Sequence, residues 1–86
     1  MPTRPDQTDP QRAAQWAAIR ARVGARIRTI RVEQGMTQEG LALASGVTRN
    51  ILIDVEHGRR GLLYERLFDI ACALDVPVSE LIHTAS

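Results

Sequence analysis

The chain of 86 residues contains no lysine, a single cysteine, Cys72, and three aromatic residues, Trp16, Tyr64 and Phe68. One cysteine excludes an intramolecular disulfide and a multi-cysteine metal site. So few rings mean that the core must be aliphatic. No apolar run approaches the roughly 18–20 residues that span a bilayer, and the polar start lacks the pattern of a signal peptide. We therefore expect a soluble, cytoplasmic protein that does not bind membranes.

Size and charge narrow the class of protein further. A mass of 9.5 kDa allows one small domain and excludes a large catalytic cleft. The net charge is only +1, but it is unevenly distributed. Eight arginines outnumber four acidic residues between positions 19 and 60, whereas four acidic residues outnumber one arginine from position 61 onward. One half of the chain is therefore basic and the other acidic.

The N-terminal third predicts a tail followed by a long helix. Residues 1–9 are too polar to offset the entropy of ordering, so we expect a flexible tail. Asp9-Pro10 is a typical helix start, with a capping side chain before a proline. An apolar stripe with helical spacing then runs to about Glu33 and consists of Trp16, Ile19, Val23, Ile27 and Ile30. Gly24 interrupts it and indicates either close packing or a break.

Four shorter helices are expected after this one. Thr37 caps a helix that runs to about Ser45, and Thr48 caps another from Arg49 to about His57. A fourth helix is predicted by the apolar residues Leu63, Leu67, Ile70, Ala71 and Leu74. A fifth follows Pro77 and should bury Leu81 and Ile82. Nothing reads as a strand, so we predict an all-α domain of five helices over residues 10–86.

The segment 37–58 carries a pattern of spaced features. They are Gln38-Glu39 at the start of the second helix, Leu41-Ala42 within it, Gly46-Val47 at the turn, and Glu56 and Gly58 at the end of the third helix. This pattern resembles the helix-turn-helix of the Cro/phage-repressor family, also called XRE-type. The flanking helices agree, and the resemblance covers about residues 19–82. It implies a lambda-repressor-like fold, here with an N-terminally extended first helix.

The third helix is the candidate DNA-reading element. Val47, Leu52 and Val55 should hold it on the core, which leaves a rigid helix whose outward face suits a major groove about 12 Å wide. The resemblance implies that base edges are read by outward residues, here Arg49, Asn50, Ile53 and Asp54. Arg and Asn suit guanine and adenine, although both could be solvated surface residues. Ile53 fits a thymine methyl or another helix, and Asp54 fits cytosine N4 or repels phosphate.

The resemblance also implies phosphate contacts, for which the candidates are Gln38, Thr48, Arg59, Arg60 and Arg31. Gln38 lies at a helix N-terminus, where free N–H groups favour anions, and its alternative role is capping. Arg59 and Arg60 suit phosphate or form a solvated charge pair. Arg31 and Glu56 match a pair that links the first and third helices in this family, so we expect Arg31 to be structural first.

No group of residues points to catalysis or to a cofactor. His57 and His83 lack a second ligand at metal-binding spacing, and Cys72 is expected to be a small core residue. We therefore expect a protein that is not an enzyme and has no metal.

The sequence predicts a sequence-specific transcriptional regulator that binds double-stranded DNA as a homodimer, with repression as the expected output. The alternative is an antitoxin-like module that neutralises a protein partner and represses its own operon. RNA binding is disfavoured, since aromatic platforms for unpaired bases are missing. Trp16 should contact either a second subunit or the C-terminal helix near Leu81 and Ile82.

Overall fold

The computed structural model describes residues 9–83, so the expected tail falls outside the described residues except for Asp9. Within this range the chain forms five helices and no strand. The helices are α1 (Pro10–Glu33), α2 (Gln38–Ser45), α3 (Arg49–Glu56), α4 (Tyr64–Leu74) and α5 (Ser79–Ile82). The predicted all-α class and helix order are confirmed.

Helix α1 begins where its capping residues place it and continues without a break. The Asp9 carboxylate accepts a hydrogen bond from the backbone N–H of Gln11 at 3.0 Å, and Pro10 occupies the first helical position. The helix passes straight through Gly24. A Cβ at that position would overlap the carbonyl oxygen of Val55, which lies in α3. Gly24 therefore marks a close backbone approach between α1 and α3.

The core is aliphatic throughout, as the scarcity of aromatic residues requires. All five helices contribute to it: α3 packs against α1 and α2, α4 packs against α2, and α5 packs against α1. Its buried apolar members are Ile27, Ile30, Leu41, Ala42, Val47, Leu52, Val55, Ile70, Ala71, Leu74 and Leu81. Burial of these side chains is the main stabilising term that the structure shows.

Three residues expected in the core lie outside it. Leu63 precedes α4 rather than belonging to its apolar stripe and is 72% exposed. Ile82 is 48% exposed while Leu81 is buried, because consecutive residues of a single helical turn point about 100° apart. Cys72 is exposed for the same reason, since its neighbour Ala71 takes the inward position.

No helix between residues 9 and 83 is long and apolar enough to cross a membrane.

Candidate nucleic-acid interface

The turn between α2 and α3 fixes the direction in which α3 runs. Gly46 ends α2 with φ of 77°, and its N–H donates to the Ala42 carbonyl at 2.9 Å. A side chain would be strained in this left-handed conformation, which is why glycine suits the turn. The Ser45 hydroxyl accepts a hydrogen bond from the Val47 N–H at 3.3 Å. Both Ser45 and Val47 are buried, so the turn is part of the core.

Helix α3 has a buried side and an outward side. Thr48 caps its start, where Oγ1 accepts from the Ile51 N–H at 3.3 Å. Leu52 and Val55 are 0% and 3% exposed and hold the helix on the core. Arg49 and Asn50 occupy the first turn and are exposed. The structure thus exposes these two polar side chains at the N-terminal end of a helix whose other side is packed against the core.

A buried ion pair joins α1 to the end of α3. Arg31 donates from Nε to Glu56 Oε2 at 2.7 Å and from Nη2 to Oε1 at 2.9 Å. Its Nη1 also donates to the Met36 carbonyl at 2.8 Å. The two side chains are 9% and 1% exposed, so neither charge is solvated in the usual way. The structure brings together the two residues that the resemblance pairs, and it adds a backbone acceptor that the sequence does not indicate.

Gln38 extends this network into α2. Its Nε2 donates to Glu56 Oε1 at 3.0 Å. Capping of α2 is performed instead by Thr37, whose Oγ1 accepts from the Gly40 N–H at 2.9 Å. The capping alternative for Gln38 was therefore wrong. No sequence pattern links positions 38 and 56, because their contact depends on how α2 and α3 pack.

Two further candidates, Asp54 and Arg59, form an ion pair at the end of α3. Asp54 Oδ1 accepts from Arg59 Nε at 3.2 Å and from Nη2 at 3.0 Å. Ile53 was expected to face outward, but it is partly buried. Arg60 is exposed. The sequence assigns Asp54 and Arg59 to different tasks and gives no sign of their contact, since it requires the chain to turn back after Gly58.

Residues 10–19, at the start of α1, are all exposed. Trp16 and Ile19 are 47% and 46% exposed. A contact further along α1 was not predicted from the sequence. Arg26 donates hydrogen bonds to the Glu80 carboxylate at 2.8 Å and to the Glu80 carbonyl at 3.0 Å. These contacts connect α1 to α5 across 54 positions of the sequence. Among residues 9–83, no three His, Cys, Asp or Glu side chains are grouped to hold a metal ion.

Comparison with known proteins gives consistent matches. A family model described as helix-turn-helix (HTH_3) matches residues 27–81. The uncharacterized HTH-type transcriptional regulator y4dJ of Sinorhizobium fredii is 36% identical over 64 residues, which cover 74% of this chain and 83% of that protein. YazB of Bacillus subtilis, also an uncharacterized HTH-type transcriptional regulator, is 40% identical over 58 residues, with 67% and 84% covered.

A solved structure agrees with these sequence matches. The restriction-modification controller protein C.AhdI from Aeromonas hydrophila superposes with a TM-score of 0.73 at 35% identity, and the match covers 76% of this chain and 94% of that one. The fold and the α2–α3 unit define a DNA-binding transcription regulator. The chain belongs to the XRE-type helix-turn-helix family, and the resemblance seen in residues 37–58 is confirmed.

Proposed function

We propose that the chain is a sequence-specific repressor that binds double-stranded DNA as a homodimer, with α3 in the major groove. The observation that supports this proposal is that one side of α3 is packed against the core while its N-terminal end is exposed. Leu52, Val55 and Glu56 fix its inner side, while Arg49 and Asn50 are exposed at its N-terminal end. A recognition helix requires this combination of a rigid base and accessible polar ends.

The two exposed residues have defined chemistry toward base edges. The guanidinium of Arg49 can donate two parallel hydrogen bonds to guanine O6 and N7. The amide of Asn50 can form the matching pair with adenine N6 and N7. Ile53 is partly exposed and suits a thymine methyl at the edge of the contact.

Phosphate contacts on both sides of α3 would hold it in register. The half-buried Gln38 and the cap residue Thr48 lie at the starts of α2 and α3, where backbone N–H groups favour anions. Arg59 and Arg60 follow α3 and supply guanidinium groups. Arg31 we assign to the buried pair rather than to phosphate, because its donors already contact Glu56 and Met36.

The output we propose is repression, because a bound dimer need only exclude polymerase from overlapping DNA. Such a regulator would act in the cytoplasm, where it meets the chromosome. A two-fold dimer would bind two half-sites separated by one helical turn, about 34–36 Å.

Selection of bound sequences from random duplex DNA tests this function directly. We expect one enriched motif with two-fold symmetry. Fluorescence anisotropy on that motif should then show log K falling by about 0.9 per neutralised phosphate per log unit of salt. Absence of any enriched sequence at low salt would reject sequence-specific binding.

A second candidate function, binding of a protein partner as antitoxins do, is favoured by the surface of α4. Leu63 just before α4 and Tyr64 and Phe68 in its N-terminal half are 72%, 80% and 57% exposed, next to the acidic Glu65. Co-expression with the product of an adjacent toxin-like gene tests this function. Rescue of growth that is lost in the double variant Tyr64→Ala/Phe68→Ala would support it.

A further inference from the structure

The ion pair between Asp54 and Arg59 is both exposed and well fixed. The side chains are 43% and 58% exposed. The Arg59 N–H donates to the Asp54 carbonyl at 2.9 Å, and the intervening Gly58 takes φ of 74°. The backbone therefore returns Arg59 to the end of α3 and sets its guanidinium against the Asp54 carboxylate.

Asp54 also shares a side of α3 with a residue that we propose reads bases. It follows Asn50 by four positions, which places the two on the same helix face. Both hydrogen bonds from Arg59 end on Oδ1, and Oδ2 accepts none from residues 9–83. An available carboxylate oxygen on this face can accept a hydrogen bond from an exocyclic amino group, either cytosine N4 or adenine N6. It repels phosphate oxygens and the acceptor atoms of guanine and thymine.

These observations point to a selectivity role: we infer that Asp54 is a specificity-determining residue that acts partly through Arg59. On random DNA, Asp54 holds the Arg59 guanidinium and prevents it from neutralising a phosphate. On the preferred site, a base amino group binds Oδ2 and offsets the repulsion that Asp54 otherwise causes. This inference rests on the proposed function, because it requires that α3 enter the major groove.

The variant Asp54→Asn tests the inference, since it removes the charge and keeps the shape. Its affinity for random duplex DNA should rise about three- to tenfold near 0.1 M salt, because one more phosphate contact steepens the salt slope by about 0.9. Sequences selected by this variant should lose their preference at one base pair. The gain in random-DNA affinity should vanish in Asp54→Asn/Arg59→Gln.

Glu80→Gln is the matched control. It removes the same charge from another exposed pair, whose atoms Arg26 Nη2 and Glu80 Oε2 lie 2.8 Å apart. It should leave the salt slope and the selected motif as they are in the unmodified protein. Thermal unfolding checks that each variant is folded.

A second comparison approaches the pair from the arginine and does not depend on Asp54→Asn. On random DNA, Arg60→Gln should lower the salt slope by about 0.9, while Arg59→Gln should leave it unchanged. Equal losses for both arginines would overturn the inference, as would an Asp54→Asn protein that behaves like Glu80→Gln. Either result, obtained while the unmodified protein still selects a motif, leaves the proposed function intact. An unmodified protein that selects no motif rejects the proposed function itself.

Discussion

Glu56 is the residue of α3 whose side chain connects this helix to both α1 and α2 by hydrogen bonds. Its carboxylate accepts hydrogen bonds from Arg31 on α1 and from Gln38 on α2, and the Glu56 side chain is 1% exposed. Buried ion pairs are not strongly stabilising by themselves, because desolvation offsets their attraction. Removal of one partner is strongly destabilising, since the remaining charge is then buried without a partner. Glu56 therefore fixes where α3 lies relative to the two helices before it.

Replacement of Glu56 by alanine should destabilise the fold. We expect a loss of about 3–5 kcal/mol, because the Arg31 guanidinium would be left buried and unpaired. Urea unfolding followed by circular dichroism measures it. The control is Glu39→Ala, at an exposed position of α2, where a change within about 0.5 kcal/mol is expected. An unfolding midpoint that Glu56→Ala leaves unchanged would contradict the buried pair.

The arginines at the two ends of α3 should differ in what they contribute to DNA binding. Arg49→Ala should cost about 1–3 kcal/mol on the selected motif and relax the choice of base at one position, because a bidentate base contact is lost. Arg60→Ala should weaken binding to all sequences alike. Anisotropy titrations with the motif and with random duplex measure both effects.

The control for these titrations is Arg22→Ala, on the exposed side of α1, which should change neither affinity. Equal losses for Arg49→Ala on both DNAs would mean that Arg49 contacts only the backbone.

At the scale of helices, the sequence predicts the ends of elements well and their contacts poorly. Caps and breakers are local, so Asp9-Pro10, Thr37, Thr48 and Gly46 mark boundaries that the structure reproduces. The contacts of Gln38 with Glu56 and of Arg26 with Glu80 join residues 18 and 54 positions apart. No local rule specifies such pairs, because they follow from packing.

The boundary of the core is equally nonlocal. Periodicity identifies the apolar stripe of α1, but it does not reveal that Ile27 is buried while Ile19, two turns earlier, remains half-exposed. That difference depends on how far α3 and α5 extend along α1. Ile82 is exposed for a different reason, because it and the buried Leu81 are consecutive residues of one helical turn and do not point the same way.

The contact between α1 and α3 provides a test at this scale. Gly24→Ala should destabilise the protein by about 1–3 kcal/mol, since the added Cβ would overlap the Val55 carbonyl and force the helices apart. Helix propensity alone would predict the opposite change in the free energy of unfolding, because alanine favours a helix by about 1 kcal/mol over glycine.

Thermal unfolding measures the change at Gly24. Gly61→Ala is the control, since its Cβ would meet only the Arg20 side chain at 3.7 Å, an ordinary contact distance. A stabilised Gly24→Ala protein would mean that α1 and α3 can separate at no cost.

The whole molecule is elongated because α1 extends past the other helices. Its principal extents are 48 × 28 × 19 Å, and 24 helical residues alone span about 36 Å. The family model matches from residue 27, so the part of α1 from residue 10 to residue 26 precedes the matched region. Residues 10–19 of this part are all exposed in the single chain.

This extension has the composition of a surface that needs a partner. Trp16 lies among Ala13, Ala14, Ala17 and Ala18, and the chain itself leaves the Trp16 residue 47% exposed. The rest of the chain therefore covers Trp16 only in part, and Ile82 on α5 remains 48% exposed as well. Two copies of α1 could bring the large ring of one against the alanines of the other. We propose that this face contributes to the homodimer.

Substitution of Trp16 by alanine should shift the monomer–dimer equilibrium toward the monomer. Each buried Å² of apolar surface contributes about 25 cal/mol, so the loss of the indole from both subunits should raise the dimer dissociation constant at least about tenfold. Light scattering over a concentration series measures this change, and Phe68→Ala, which removes an exposed ring from α4, serves as the control. Weaker dimerisation should also reduce affinity for the full motif. Affinity for a single half-site should stay unchanged, because the proposed half-site contacts come from α3 and the residues that flank it and not from Trp16. A dimer that Trp16→Ala leaves intact, or an unmodified protein that is monomeric at high concentration, would remove Trp16 from the interface and place dimerisation elsewhere or only on DNA.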